Sequence, residues 1–128
     1  MTIRPRVHIV TTGGTIAGRS DVTGTVAPGL SPNELLARVP AISSAALVTA
    51  ERLLEVPSHV ITFREMLALA RRAKAALDDP NVSGVVVTHG TATLEQTAYF
   101  LDTVLGEEPP IVVTGAMRNP TLPSDDGR

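Results

Sequence analysis

The sequence has no cysteine and no tryptophan, one tyrosine, two phenylalanines and a single lysine among its 128 residues. The first absence excludes disulfides, thiolate metal ligation and a Cys nucleophile, and it leaves the compartment open. Positive charge is also not in excess: 11 Lys and Arg face 13 Asp and Glu, a net charge of -2, which offers no footprint for a phosphate backbone. No nucleic acid partner is therefore expected. No window approaches the roughly 18 consecutive apolar residues of a membrane-spanning helix, so no membrane partner is expected. The amino end, MTIRPRVHIVTTGG, has too short an apolar run for a secretory signal, and a cytoplasmic location is expected. The three histidines, at 8, 59 and 89, are too scattered to suggest a metal site. Neither a metal nor another cofactor is expected.

What the chain does contain suits a globular fold: 43% hydrophobic and 19% charged residues over a length normal for one domain. Val7 to Val10 form a β-branched run ending at a Gly pair, which predicts a buried strand over about residues 6–12. A long polar loop is expected over residues 13–30. Ser31, Pro32 and Glu34 form a capping box opening a short helix, and residues 46–56 read as extended. Thr62 and Glu65 form a second box, ahead of a helix whose buried stripe is Met66, Leu69, Ala70, Ala73 and Leu77. Residues 84–90, GVVVTHG, make another apolar strand. Thr93 with Gln96 reads as a third box, opening a helix that runs to Gly106, with Tyr99 in its apolar stripe beside Leu94, Leu101 and Leu105. A last strand is expected over residues 111–115, followed by loop. Fully apolar strands alternating with helices describe a doubly wound α/β fold, a parallel sheet with helices on both faces. Ligands bind such sheets beyond the carboxyl ends of the strands.

Three segments follow predicted strands and should gather there: TTGGT at 11–15, PSH at 57–59 and THGTAT at 88–93. Glycine lets backbone N–H groups approach a ligand closely, and preorganised amides can hold a carboxylate or a developing oxyanion. A threonine hydroxyl beside them can attack a carbonyl if something accepts its proton. A phosphate cradle is unsupported, because the chain has no Gly-Lys pair, and Gly13 and Gly14 are adjacent where a dinucleotide fingerprint needs spacing. Thr11 and Thr12 are explained as the polar end of a strand and Thr93 as an N-cap. Thr15 and Thr91 each follow a glycine in a tight turn without capping duty, which leaves them open to a functional role as well as a local one. His59 and His89 are candidate general bases by residue type, and His89, ending a buried strand, reads better as a satisfied structural histidine.

Together, TTGGTIAG at 11–18, THGTATLEQTAYFLD at 88–102 and VVTGAMRNPTLPSDDG at 112–127 resemble the bacterial L-asparaginase and glutaminase family over nearly the whole chain. The resemblance implies an amidohydrolase with a flavodoxin-like amino-terminal domain, represented by residues 1–128 and incomplete at its carboxyl end, and a smaller carboxyl domain absent from this chain. It further implies that Thr15 is the nucleophile, that Thr91 belongs to a second Thr-Lys-Asp cluster, and that Ser58 binds the substrate α-carboxylate. Gly14, Gly90 and His59 complete the implied substrate-binding set, and a homo-oligomer or a second polypeptide is the implied partner.

The chain departs from the family pattern at four places. Ala92 stands where the family has Asp, His59 where it commonly has Gln or Asp, and Gly24 where a loop Tyr is aligned. The family lysine would lie beyond Arg128. Without the Asp, a substrate ammonium would sit unpaired in a closed site, a cost of several kcal/mol. The expected substrate is therefore a small carboxamide without a free α-ammonium. The alternative is a non-catalytic subunit or degenerate paralogue that binds a ligand or completes a split enzyme. What activates Thr15 is open, with His59 as a candidate base.

Overall fold

The computed structural model describes residues 3–20, 23, 25–106, 110–123 and 126–127. Its elements, in chain order, are β1 (Arg6–Thr11), β2 (Gly18–Ser20), β3 (Val26–Pro28), α1 (Pro32–Ala37), α2 (Ile42–Ala45), β4 (Leu47–Arg52), α3 (Phe63–Leu77), β5 (Val82–Thr88), α4 (Leu94–Leu105) and β6 (Ile111–Thr114). Single 3-10 turns lie at Thr15–Ala17 and Ser58–Val60. Two of the three expected capping boxes form. Ser31 accepts from the Glu34 amide while Glu34 accepts from the Ser31 amide, and Glu65 accepts from the Thr62 amide in the same way.

β4, β1, β5 and β6 form, in that spatial order, a four-stranded sheet with every pairing parallel. Counted in the order of the sheet's own strands this is 2-1-3-4, the flavodoxin-like winding without a fifth strand among the described residues. The chain moves one way from β1 to β4 and the opposite way from β4 to β5 and β6. Right-handed crossovers then put the intervening helices on opposite faces. α3 and α4 cover one face through Val10, Leu69, Ala70, Ala73, Val85, Val87 and Leu101, and α1 and α2 lie against β4. On the other face the in-register residues Thr11, Thr88 and Thr114 make a row at the carboxyl ends of three strands. The buried Thr88 hydroxyl has no hydrogen-bond partner among the described residues.

Three expectations are corrected. The stretch 13–30 is not simply loop, since it holds a 3-10 turn and the antiparallel pair β2–β3, registered from Gly18 opposite Pro28 to Ser20 opposite Val26. Three-residue strands are too short to display an alternating pattern. Tyr99 is 74% exposed, whereas Thr97 and Leu101 are buried. Two residues off that line is about 200° around the helix, which turns the ring outward. The third capping box is absent, because the Thr93 side chain makes no cap hydrogen bond. Its hydroxyl donates instead to the Ser58 carbonyl at 2.8 Å.

Along β1 and β4, His8 bridges Thr49 and Glu51, both at 2.8 Å, and Glu51 also accepts from Arg72 of α3. The Arg72 hydrogen bond holds the Glu51 carboxyl below the usual glutamate range, with His8 acting in the same direction against partial burial.

Candidate active site

The three loops that follow β1, β4 and β5 meet at one seam. An ideal Cβ on Gly14 would lie 2.4 Å from the Gly90 Cα, and one on Gly90 would lie 2.7 Å from the Ser58 Oγ. Only two glycines allow the backbones of the first and third loops to touch this closely with Ser58 beneath them. The hydrogen bonds repeat the convergence. Thr93 donates its amide to Ser58 Oγ at 3.3 Å and its hydroxyl to the Ser58 carbonyl, a double clasp between the second and third loops. Ser58 is 3% exposed, and since its oxygen accepts from Thr93, its proton is left free to donate.

Thr15 begins the 3-10 turn directly after Gly14 and is half-buried, and Thr91 follows Gly90 and is exposed. Neither hydroxyl has a hydrogen-bond partner among the described residues, nor do the Gly14 and Thr91 amides. Free hydroxyls and free amides at the rim of one seam are what nucleophilic attack and oxyanion binding require. Thr11 and Thr12, by contrast, are committed. Thr12 is fully buried and donates to the Thr88 carbonyl at 2.8 Å, while Thr11 donates to the Glu51 carbonyl at 3.3 Å. His59 is exposed in the 3-10 turn beside Ser58, and Ala92 is exposed between Thr91 and Thr93. Gly24 lies outside the described residues. The cavities beneath α3 (about 290 Å3) and between α4 and β6 (about 350 Å3) are lined by none of these residues.

His89 is fully buried, with Nδ1 2.7 Å from the Gly90 carbonyl oxygen and Nε2 2.9 Å from Thr97 Oγ1. A carbonyl only accepts, so Nδ1 carries the proton and Nε2 accepts from the threonine. Both nitrogens are occupied within the fold, which fits the structural role expected of His89 and leaves no nitrogen for general-base work. Thr97 had no signal in the sequence beyond its position on α4.

Burial holds the His89 pKa below the usual histidine value of 6.5, against the opposing pull of the Gly90 bond. The unfolded chain takes this proton near 6.5 and the folded one only at lower pH. The stability linked to neutral His89 is therefore complete above about pH 6.5 and is lost as pH falls below it. Denaturant melts from about pH 8 to about pH 5 are expected to show this decline, and His89→Phe is expected to remove its part of the slope.

A family model described as "Asparaginase, N-terminal" matches residues 6–128. The glutaminase-asparaginase of Acinetobacter glutaminasificans is 43% identical over 125 residues, which is 94% of this chain and 38% of that protein. The L-asparaginase of Bacillus licheniformis is 39% identical over 121 residues, again 94% of this chain and 38% of that protein. The crystal structure of a probable cytoplasmic L-asparaginase from Campylobacter jejuni superposes with a TM-score of 0.86 and 38% identity, covering 97% of this chain and 38% of that one. The chain thus spans little more than a third of the length of the relatives it matches. Among the described residues no helix is long and apolar enough to cross a membrane, and no cluster of side chains forms a metal site.

Proposed function

We propose, because this chain belongs to the asparaginase family through its amino-terminal domain, that it supplies the nucleophile and oxyanion amides of an amidohydrolase acting on a small carboxamide. The observation that carries this reading is the seam of Gly14, Gly90 and Ser58, which brings the backbones bearing Thr15 and Thr91 together from β1 and β5. In the reaction the Thr15 oxygen bonds to the amide carbon, and its proton passes to the leaving nitrogen, which departs as ammonia. The amides of Gly14 and Thr91 stabilise the oxyanion. Water then adds to the threonyl ester and releases the acid, with the proton returning to Thr15. Ser58 donates its free proton to the substrate's carboxylate, and His59 flanks that end. No cofactor enters any of these steps.

The catalytic assembly is proposed to contain more than this chain: a second polypeptide, or further copies, together with a smaller carboxyl domain. The length of the relatives supports this, since the chain spans little more than a third of each.

The substrate is proposed to lack a free α-ammonium, because the turn Thr91–Thr93 presents Ala92 and no carboxylate. Ammonia release is the measurement, from L-asparagine beside N-acetyl-L-asparagine and succinamic acid, with the chain alone and with a carboxyl domain added. The ammonium-free amides are expected to turn over faster, and faster release from L-asparagine would sink the substrate assignment. Ala92→Asp is expected to move the preference toward L-asparagine by about tenfold or more, the effect of restoring one charged partner.

A further inference from the structure

The Thr91 amide can serve as the proposed oxyanion donor only when it is aimed into the crevice. A peptide unit is planar and trans, so the carbonyl of one residue and the N–H of the next point in opposite directions. Fixing the Gly90 carbonyl therefore fixes the Thr91 N–H. Glycine, lacking a Cβ, leaves the neighbouring peptide free to rotate, and the Gly90–Thr91 unit has no strand or helix to hold it. What holds it is the His89 ring, whose Nδ1–H donates to the Gly90 carbonyl at 2.7 Å inside the fold.

We infer that His89 is a positioning residue: its ring, locked by Thr97, turns the Gly90 carbonyl inward and thereby points the Thr91 amide proton out into the crevice. Three observations agree. The ring is fully buried, so water does not compete for the carbonyl. Its other nitrogen is taken by Thr97 Oγ1 at 2.9 Å, from the second turn of α4, so the ring is held by the helix as well as by the strand. The Thr91 amide itself has no acceptor among the described residues, as an amide kept for a ligand should be. The backbone of His89 is anchored in turn, its N–H donating to the Thr114 carbonyl at 2.8 Å. The chain of control runs from α4 through Thr97 and His89 to the peptide before Thr91.

The catalytic consequence rests on the hydrolytic reading above, whereas the orientation of the peptide does not, so the two are measured separately. The first measurement is the residual dipolar coupling of the Thr91 N–H in the full 128-residue chain, with the amides of Val85 and Val87 as internal reference. His89→Phe keeps a ring and loses both hydrogen bonds, Thr97→Val keeps its shape and loses the lock, and His89→Asn places a side-chain N–H near the position of Nδ1. The Thr91 coupling is expected to change most in His89→Phe, less in Thr97→Val, and to return toward the wild-type value in His89→Asn, with the sheet amides unmoved. Where His89→Phe does not fold, Thr97→Val decides. An unchanged Thr91 coupling in a folded variant lacking the lock overturns the inference whatever the activity. The second measurement is steady-state hydrolysis in the active assembly. A misaimed oxyanion donor lowers kcat by about tenfold to a hundredfold with KM within about twofold. Loss of turnover with an equal rise in KM would mark a merely structural role and also overturn it.

Discussion

Replacing Thr15, the proposed nucleophile, by alanine is expected to lower amide hydrolysis by the proposed assembly about a thousandfold or more while leaving the melting curve almost unchanged, since nucleophile deletions are among the largest catalytic effects known. The dissociation follows from the surroundings of the hydroxyl. Thr15 Oγ1 has no hydrogen-bond partner among the described residues and the residue is half-buried, so its removal orphans nothing and costs stability only within about 0.5 kcal/mol. Thr12, three residues earlier, should behave in the opposite way. Its buried hydroxyl donates to the Thr88 carbonyl at 2.8 Å, so Thr12→Val is expected to cost about 1 kcal/mol of stability with a far smaller effect on turnover. Thr15→Ser, which keeps an attacking oxygen, should recover part of the rate. Retention of activity within about tenfold in Thr15→Ala would remove this residue from the chemistry.

The contrast between Thr12 and Thr15 also marks where the sequence is readable. Apolar, β-branched runs located β1, β5 and β6, whereas β4 was read only as part of an extended stretch over 46–56, because this edge strand is half-exposed and not apolar throughout. The Ser31–Glu34 and Thr62–Glu65 boxes formed as written, since all their partners lie within one turn of chain. The Thr93–Gln96 box failed for a reason no local rule contains. A carbonyl 35 residues away, on Ser58, captured the hydroxyl that the cap would have used. Tyr99 failed because the apolar stripe of α4 is set by which of its turns meet the sheet, and a tyrosine near such a stripe is equally content outside it. The β2–β3 pair has too few residues to carry a period.

The candidate site was legible in its parts and not in its assembly. Glycine beside threonine at the end of a strand signals close backbone approach, and the sheet rule says that such ends gather. Neither says that the Gly14 and Gly90 backbones face each other, or that Ser58 lies beneath. His89 was legible as a buried structural histidine by its place in an apolar strand, but its partner Thr97 was not, because nothing in a helix sequence distinguishes a threonine facing a ring from one facing solvent. The control of the Gly90 peptide is a property of the folded chain alone.

That facing pair of glycines makes Gly14→Ala the substitution with the largest expected effect on stability. Gly14 has φ of 82° and ψ of -176°, a region occupied almost only by glycine, where a side chain costs about 1–3 kcal/mol. The new Cβ would also lie 2.4 Å from Gly90 Cα and 2.6 Å from Gly90 N, against a comfortable carbon separation of about 3.5–4.0 Å. Both obstructing atoms are backbone, so no rotamer change relieves the overlap, and the loops after β1 and β5 must separate by an ångström or more. Strain and overlap together should cost about 4 kcal/mol, a large share of the 5–15 kcal/mol typical of a domain, and lower Tm by about 15 °C. Gly106 supplies the control. Its backbone has a similar conformation, φ of 72° and ψ of -163°, but a Cβ there meets no atom within 4 Å. Gly106→Ala should therefore carry the backbone strain alone, about 1 kcal/mol. The excess in Gly14→Ala, read as the difference between the two denaturation midpoints, measures how firmly the loops after β1 and β5 are pressed together, and equal losses would mean that the seam is not closed in solution.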